Sequence, residues 1–122
     1  MDLSQITKTL VSEIKLTENQ AKIFLHIVIH GRMNTTQISS DLHISFDDAT
    51  QNSKKLVELG GFIDMPNDEF EAMHPRFTAV NMYRKMCERE QKEFKKNLDI
   101  DNIGVALEVS YDDARTKYNK KK

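Results

Sequence analysis

Between Leu16 and Pro75 the apolar period changes once, from helical to alternating, and nearly every segment boundary carries a cap, a glycine or a proline. Thr17 is a good helix N-cap, Gln20 stands three residues on as its capping-box partner, and Leu16 is placed to staple the turn. The helix that follows presents Ala21, Phe24, Leu25 and Val28, broadened by Ile23, Ile27 and Ile29, and Gly31 stops it. Asn34-Thr35-Thr36-Gln37 offers another cap, followed by Ile38 and Leu42 as the inward positions of a short helix. Leu42-His43-Ile44 reads as a tight turn with two apolar anchors. Ser45 then caps a helix with Asp48 at the third position, in a capping box that uses Asp for Glu, and Asp47 and Asp48 suit the positive end of its dipole. Its inward face is Ala49, Asn52 or Ser53, Leu56, Val57 and Leu59, and Gly60-Gly61 ends it. After that the period is two. Phe62–Met65 and Phe70–Met73 are strand candidates joined by the turn Pro66–Glu69.

Helices flank this block. Asp2 to Ile14 puts Leu3, Ile6, Leu10, Val11 and Ile14 on one helical stripe, with Asp2 able to cap its start. Pro75 fits the first position of a long helix, which the absence of a breaker extends from Phe77 to about Leu98. Ile100 to Tyr118, with Ile103, Leu107, Tyr111 and Ala114 on one side, forms a last helix ahead of the basic tail Lys120-Lys121-Lys122. The expected class is mainly α with a small β-hairpin (α+β), divided into a head, 1–75, and a helical arm, 76–122.

Composition narrows the function classes. No stretch approaches the roughly 20 apolar residues of a membrane span, and Asp2, Ser4 and Gln5 interrupt any signal-peptide core. One cysteine among 122 residues excludes an intrachain disulfide framework and suggests a reducing, cytoplasmic setting. The formal charge is −1 overall, divided as −5 over residues 1–74 and +4 over residues 75–122, which suggests two surfaces with different partners. There is no Gly-rich phosphate loop, metalloprotease helix or nucleophile elbow, and the carboxylates do not converge, so an enzyme is not expected.

Helix, short helix, turn, capped helix and hairpin is the order of a winged helix-turn-helix. Leu16-Thr17-Glu18-Asn19-Gln20-Ala21-Lys22-Ile23-Phe24-Leu25 resembles the opening helix of the archaeal TrmB family of transcription regulators. Gly31, Thr35-Thr36-Gln37-Ile38 and Leu56-Val57-Glu58-Leu59-Gly60-Gly61-Phe62-Ile63 follow that family's helix-turn-helix frame, and Phe70-Glu71-Ala72-Met73-His74-Pro75 is similar to its strand-to-helix junction. The resemblance covers roughly residues 10 to 90. It implies a dimeric DNA-binding regulator whose helix after the wing supports dimerisation. The sugar-binding domain of larger relatives is not expected here.

In such a fold the helix 45–60 enters the major groove. Ser45, Gln51, Lys54 and Lys55 lie outward by helical spacing, with Gln51 suited to an adenine edge and the lysines to phosphates. Thr35 and Thr36 open the short helix, where amides hold a phosphate, and Arg32 adds a cation. The partners expected are double-stranded DNA and a second copy. Asp47, Asp48, Asp64, Asp68 and Glu69 oppose a polyanion, however, at places where related regulators carry Arg or Lys. They support the alternative of a protein-interaction module with an acidic surface for a basic partner, such as part of the transcription machinery.

Dimerisation falls to Phe77, Val80, Tyr83, Met86, Phe94 and Leu98, because a helix of some 22 residues spans about 33 Å, more than the head covers. Neither cofactor nor metal is expected. His26 and His30 have a metal-compatible spacing but lack a third ligand in sequence, and His30 suits the end of its helix. Cys87 reads as a buried small hydrophobe, with a redox thiol beside Arg84 and Arg89 as the sharper alternative. A ligand pocket at the dimer seam has only Met and aromatic residues in its favour.

Overall fold

Four helix starts are closed by side chains read directly from the sequence in the structure, a computed structural model describing residues 1–120, with side chains through Tyr118. The first helix, α1 (Leu3–Glu13), begins where Asp2 accepts from the Gln5 amide at 2.9 Å and Gln5 accepts from the Asp2 amide at 3.1 Å. Thr17 and Gln20 make the same reciprocal pair for α2 (Glu18–His30). So do Asn34 and Gln37 for α3 (Thr35–Leu42), which follows the two-residue strand β1 (Met33–Asn34). At α4 (Phe46–Leu59) only half of the box forms: Ser45 accepts from the Asp48 amide at 3.0 Å. The Asp48 side chain, one methylene shorter than Glu, does not return the bond. Between α3 and α4, His43 takes the left-handed conformation (φ 56°) and leaves Leu42 and Ile44 half-buried against the core, the two anchors expected there.

Beyond α4 come β2 (Ile63–Met65) and β3 (Glu69–Glu71), so the strands are shorter than their apolar runs and the loop is 66–68. Asn67 and Asp68 hold φ of 66° and 59°, a conformation their short polar side chains tolerate. The sheet has three strands in the order β1-β3-β2, all antiparallel, with Met33 opposite Phe70 and Met65 opposite Glu69. Sequence reading missed β1, because two residues are too few to show a period. Phe70 points inward from β3 onto Phe62, at 6.2 Å between ring centroids, and Phe62 lies 6.1 Å from Phe24 of α2. The sheet is thereby fastened to the helices.

The expected helix from Phe77 to Leu98 is corrected. Instead, α5 (Pro75–Arg89) stops and α6 (Leu98–Lys120) starts anew. The stop is a Schellman motif: the Lys92 amide donates to the Cys87 carbonyl at 2.8 Å and the Gln91 amide to the Glu88 carbonyl at 3.3 Å, around Gln91 at φ 54°. Glycine usually fills that position, and a glutamine there gives a sequence reader no sign of an end. The polar run from Glu88 to Lys92 also buries nothing that would extend the helix. Asn97 then accepts from the Asp99 amide at 3.0 Å to open α6.

Turning at Gln91 lets α6 return antiparallel along α5. At the crossing a Cβ on Gly104 would stand 2.7 Å from the Arg76 Cα, so only glycine permits the approach. Ile100, Ile103, Leu107 and Tyr111 join Ile6, Leu10, Ile14 and Phe24 in one buried cluster. The arm 76–122 therefore completes the core of the head and is not a separate stalk. Among the described residues no helix is long and apolar enough to cross a membrane. Lys121 and Lys122 of the expected basic tail lie outside the described residues.

Candidate nucleic-acid interface

The outer face of α4 carries Gln51, Lys54 and Lys55, all exposed, while Ala49, Ser53 and Leu56 turn inward. This division is the one expected from the 3.6-residue period. Ser45 is exposed at the N-cap, with its oxygen engaged by the Asp48 amide. Lys55 reaches Glu58 one turn on at 3.2 Å, an exposed pair that binding a phosphate would exchange at little cost. Phe46, about half exposed at the first position of α4, also belongs to this end of the helix and was not singled out from the sequence.

The other expected contacts divide. Thr36 is exposed at the start of α3, but Thr35 is only 3% exposed and faces the protein. Asn34 already occupies the Gln37 amide, leaving fewer amides free at that helix start. Arg32 is withdrawn as a surface cation: its Nε donates to Glu69 at 2.6 Å and its guanidinium lies 5.8 Å from the centre of the Tyr118 ring. The hydrogen bond to the Glu69 carboxylate, with further carboxylate attraction, raises the Arg32 pKa above its ordinary value. Glu69 is thus neutralised by the same contact. Asp47, Asp48, Asp64 and Asp68 remain exposed on the helix start and hairpin.

The residues expected to dimerise do not form one stripe. Phe77 is 70% exposed and Val80 half-buried on α5, and Leu98 is exposed on α6. Met86 is corrected to a core residue, 2% exposed. Tyr83 and Phe94 pack on each other within the chain at 6.0 Å, a consequence of the turn after α5. Cys87 is buried, as expected of a small hydrophobe.

Two histidine clusters test the metal reading. His26 and His30 lie against each other with their rings tilted at 51° and 4.6 Å between centroids, and α3 supplies a carboxylate the sequence spacing did not reveal: Asp41 lies 2.8 Å from His26 Nε2. Elsewhere His74, Glu108 and Asp112 bring ligand atoms within 4.8 Å of one another. His74 Nδ1 accepts the Arg76 amide at 3.2 Å, and its Nε2 faces Glu108 at 3.7 Å. Arg76 holds the other Glu108 oxygen at 2.9 Å. With Arg76 on one Glu108 oxygen and His74 beside the other, the arrangement is an ion-pair joint between α5 and α6.

Comparison with protein-family models, curated proteins and solved structures finds no match to this chain.

Proposed function

We propose that α2 to β3 form a winged helix-turn-helix head of the TrmB type and that the protein is a DNA-binding transcription regulator acting as a homodimer. The observation that carries this reading is the chain order α2-β1-α3-α4-β2-β3 with the sheet order β1-β3-β2. A two-residue strand before the helix pair docks on the far strand of the hairpin, as a winged helix requires and a bare helix pair does not. The outward side chains of α4 suit a major groove: Gln51 for a base edge, Lys54 and Lys55 for phosphates, Ser45 and Thr36 for the backbone.

Arg32 and Thr35 leave this set. The head then offers Lys54 and Lys55 per copy on α4, or four lysines in a dimer, against exposed acids on the same surface. Strong salt-dependent binders make about 6–10 phosphate contacts. The affinity expected is accordingly low and steeply lost with salt. Titrating a labelled random duplex from about 50 to 200 mM salt tests this, because counterion release makes the contacts strongest at the low end. Replacing Lys54 and Lys55 together by Ala weakens binding to all sequences and lowers the salt slope by about 2 per subunit. If wild type fails to bind at the lowest salt, direct DNA contact is wrong. A specific observation favours the second reading in that event: with Glu69 held by Arg32, Asp47, Asp48, Asp64 and Asp68 have no ion-pair partner among the described residues, a surface suited to a basic protein partner.

A further inference from the structure

We infer that the outer face of the α5–α6 hairpin is the seam between two copies of this chain, with α5 of each copy lying over α6 of the other and the two-fold axis parallel to the helices. This specifies the geometry of the homodimer proposed above and rests on that part of the reading, not on DNA contact. On α6, Leu98, Val105 and Val109 follow at seven and four residues and are 66%, 54% and 71% exposed. At 100° per residue they lie on one line, opposite the buried Ile100, Ile103, Leu107 and Ala114. The helix therefore has two apolar faces, and the chain covers one. On α5, Phe77 and Val80 form the neighbouring apolar strip, with Arg84 continuing it and His74 and Arg76 at its edge, around an open groove.

Charge selects the occupant and its orientation. Beside the apolar strip of α5 stand Arg76 and Arg84, held within the chain by Glu108 and Glu88 at 2.9 Å each in exposed pairs that a stronger partner exchanges at little cost. From Leu98 to Asp113, α6 carries Asp99, Asp101, Glu108, Asp112 and Asp113 and no base. Two hairpins placed face to face have two symmetric solutions. An axis perpendicular to the helices stacks α5 on α5 and α6 on α6, setting acids against acids. An axis parallel to the helices stacks α5 on α6 twice, and both contacts are attractive.

That axis also preserves height along the helices, so the register within one chain carries across the seam. Arg76 meets Gly104 within the chain. Phe77 of one copy then lies beside Val105 of the other, Val80 between Leu98 and Val105, and Arg84 near Asp99 and Asp101.

Cysteine cross-linking reads the orientation. In a Cys87→Ala background, Phe77→Cys and Val105→Cys are purified separately, mixed, and oxidised with copper phenanthroline. The expected result is a disulfide-linked dimer from the mixture and little from either variant alone. A wild-type chain that scatters light as a dimer, with Val105→Cys linking to itself and the mixture not linking, overturns the orientation and leaves the homodimer standing. A dimer giving neither link also overturns the seam. A monomeric mass at tens of micromolar removes the homodimer reading and the seam together. As a second measurement, Val105→Lys, at an exposed position, is expected to yield a monomer with unchanged helical circular dichroism; a variant that stays dimeric counts against the seam.

Discussion

Arg32 shows how a single residue changes meaning once its neighbours are known. In sequence it is a cation beside a helix end; in the structure Glu69, 37 positions away, accepts its Nε–H. Removing the pair together, Arg32→Ala with Glu69→Ala, is expected to leave duplex affinity within about twofold of wild type, since a sequestered cation neutralises no phosphate; anisotropy at fixed salt checks it. Ser45 carries the opposite message, because its role is local and was readable. Ser45→Ala removes the cap of α4 and is expected to cost about 1 kcal/mol in denaturant unfolding. Ser53 was one of two candidates for the inward face, and the structure chooses it: fully buried, with a hydroxyl that finds no partner among the described residues. Ser53→Ala removes a buried polar group rather than a bond. Stability unchanged, or raised by up to about 1 kcal/mol, is the expected outcome.

At the level of elements, the turn after α5 matters most. Gln91 sits at φ 54° in a Schellman motif where a side chain opposes the conformation. Gln91→Gly is therefore expected to stabilise the protein by up to about 1 kcal/mol, seen as a higher Tm. A lower Tm would mean that the motif is not the stop it is taken to be. The return of α6 makes a second demand, on Gly104. Gly104→Ala pushes a methyl against the Arg76 backbone, and with backbone on the far side the helices themselves must separate. A loss of about 1–3 kcal/mol is expected in denaturant unfolding, the cost of overpacking, despite alanine's better helix propensity. The sign is what distinguishes a close crossing from a solvated helix.

Across the whole molecule, one core links the first helix to the last, since Ile6 and Leu10 are buried in the same cluster as Ile103 and Leu107. A chain ending at residue 97 is expected to lose cooperative unfolding, measured by circular dichroism, rather than to yield a free head. The sequence alone determined whatever depends on neighbours within about four residues: the caps at Asp2, Thr17, Asn34 and Ser45, the inward and outward faces of α2 and α4, and the hairpin after Gly61. These rest on local hydrogen bonds and on the period of the backbone, which a reader can count. Tertiary structure decided the strand β1, the end of α5, the carboxylate partner of His26, the loss of Arg32 and Thr35 from the surface, and the burial of Met86. Each of these depends on a group distant in the chain, or on backbone strain that the surrounding packing sustains, and neither leaves a periodic trace in the sequence.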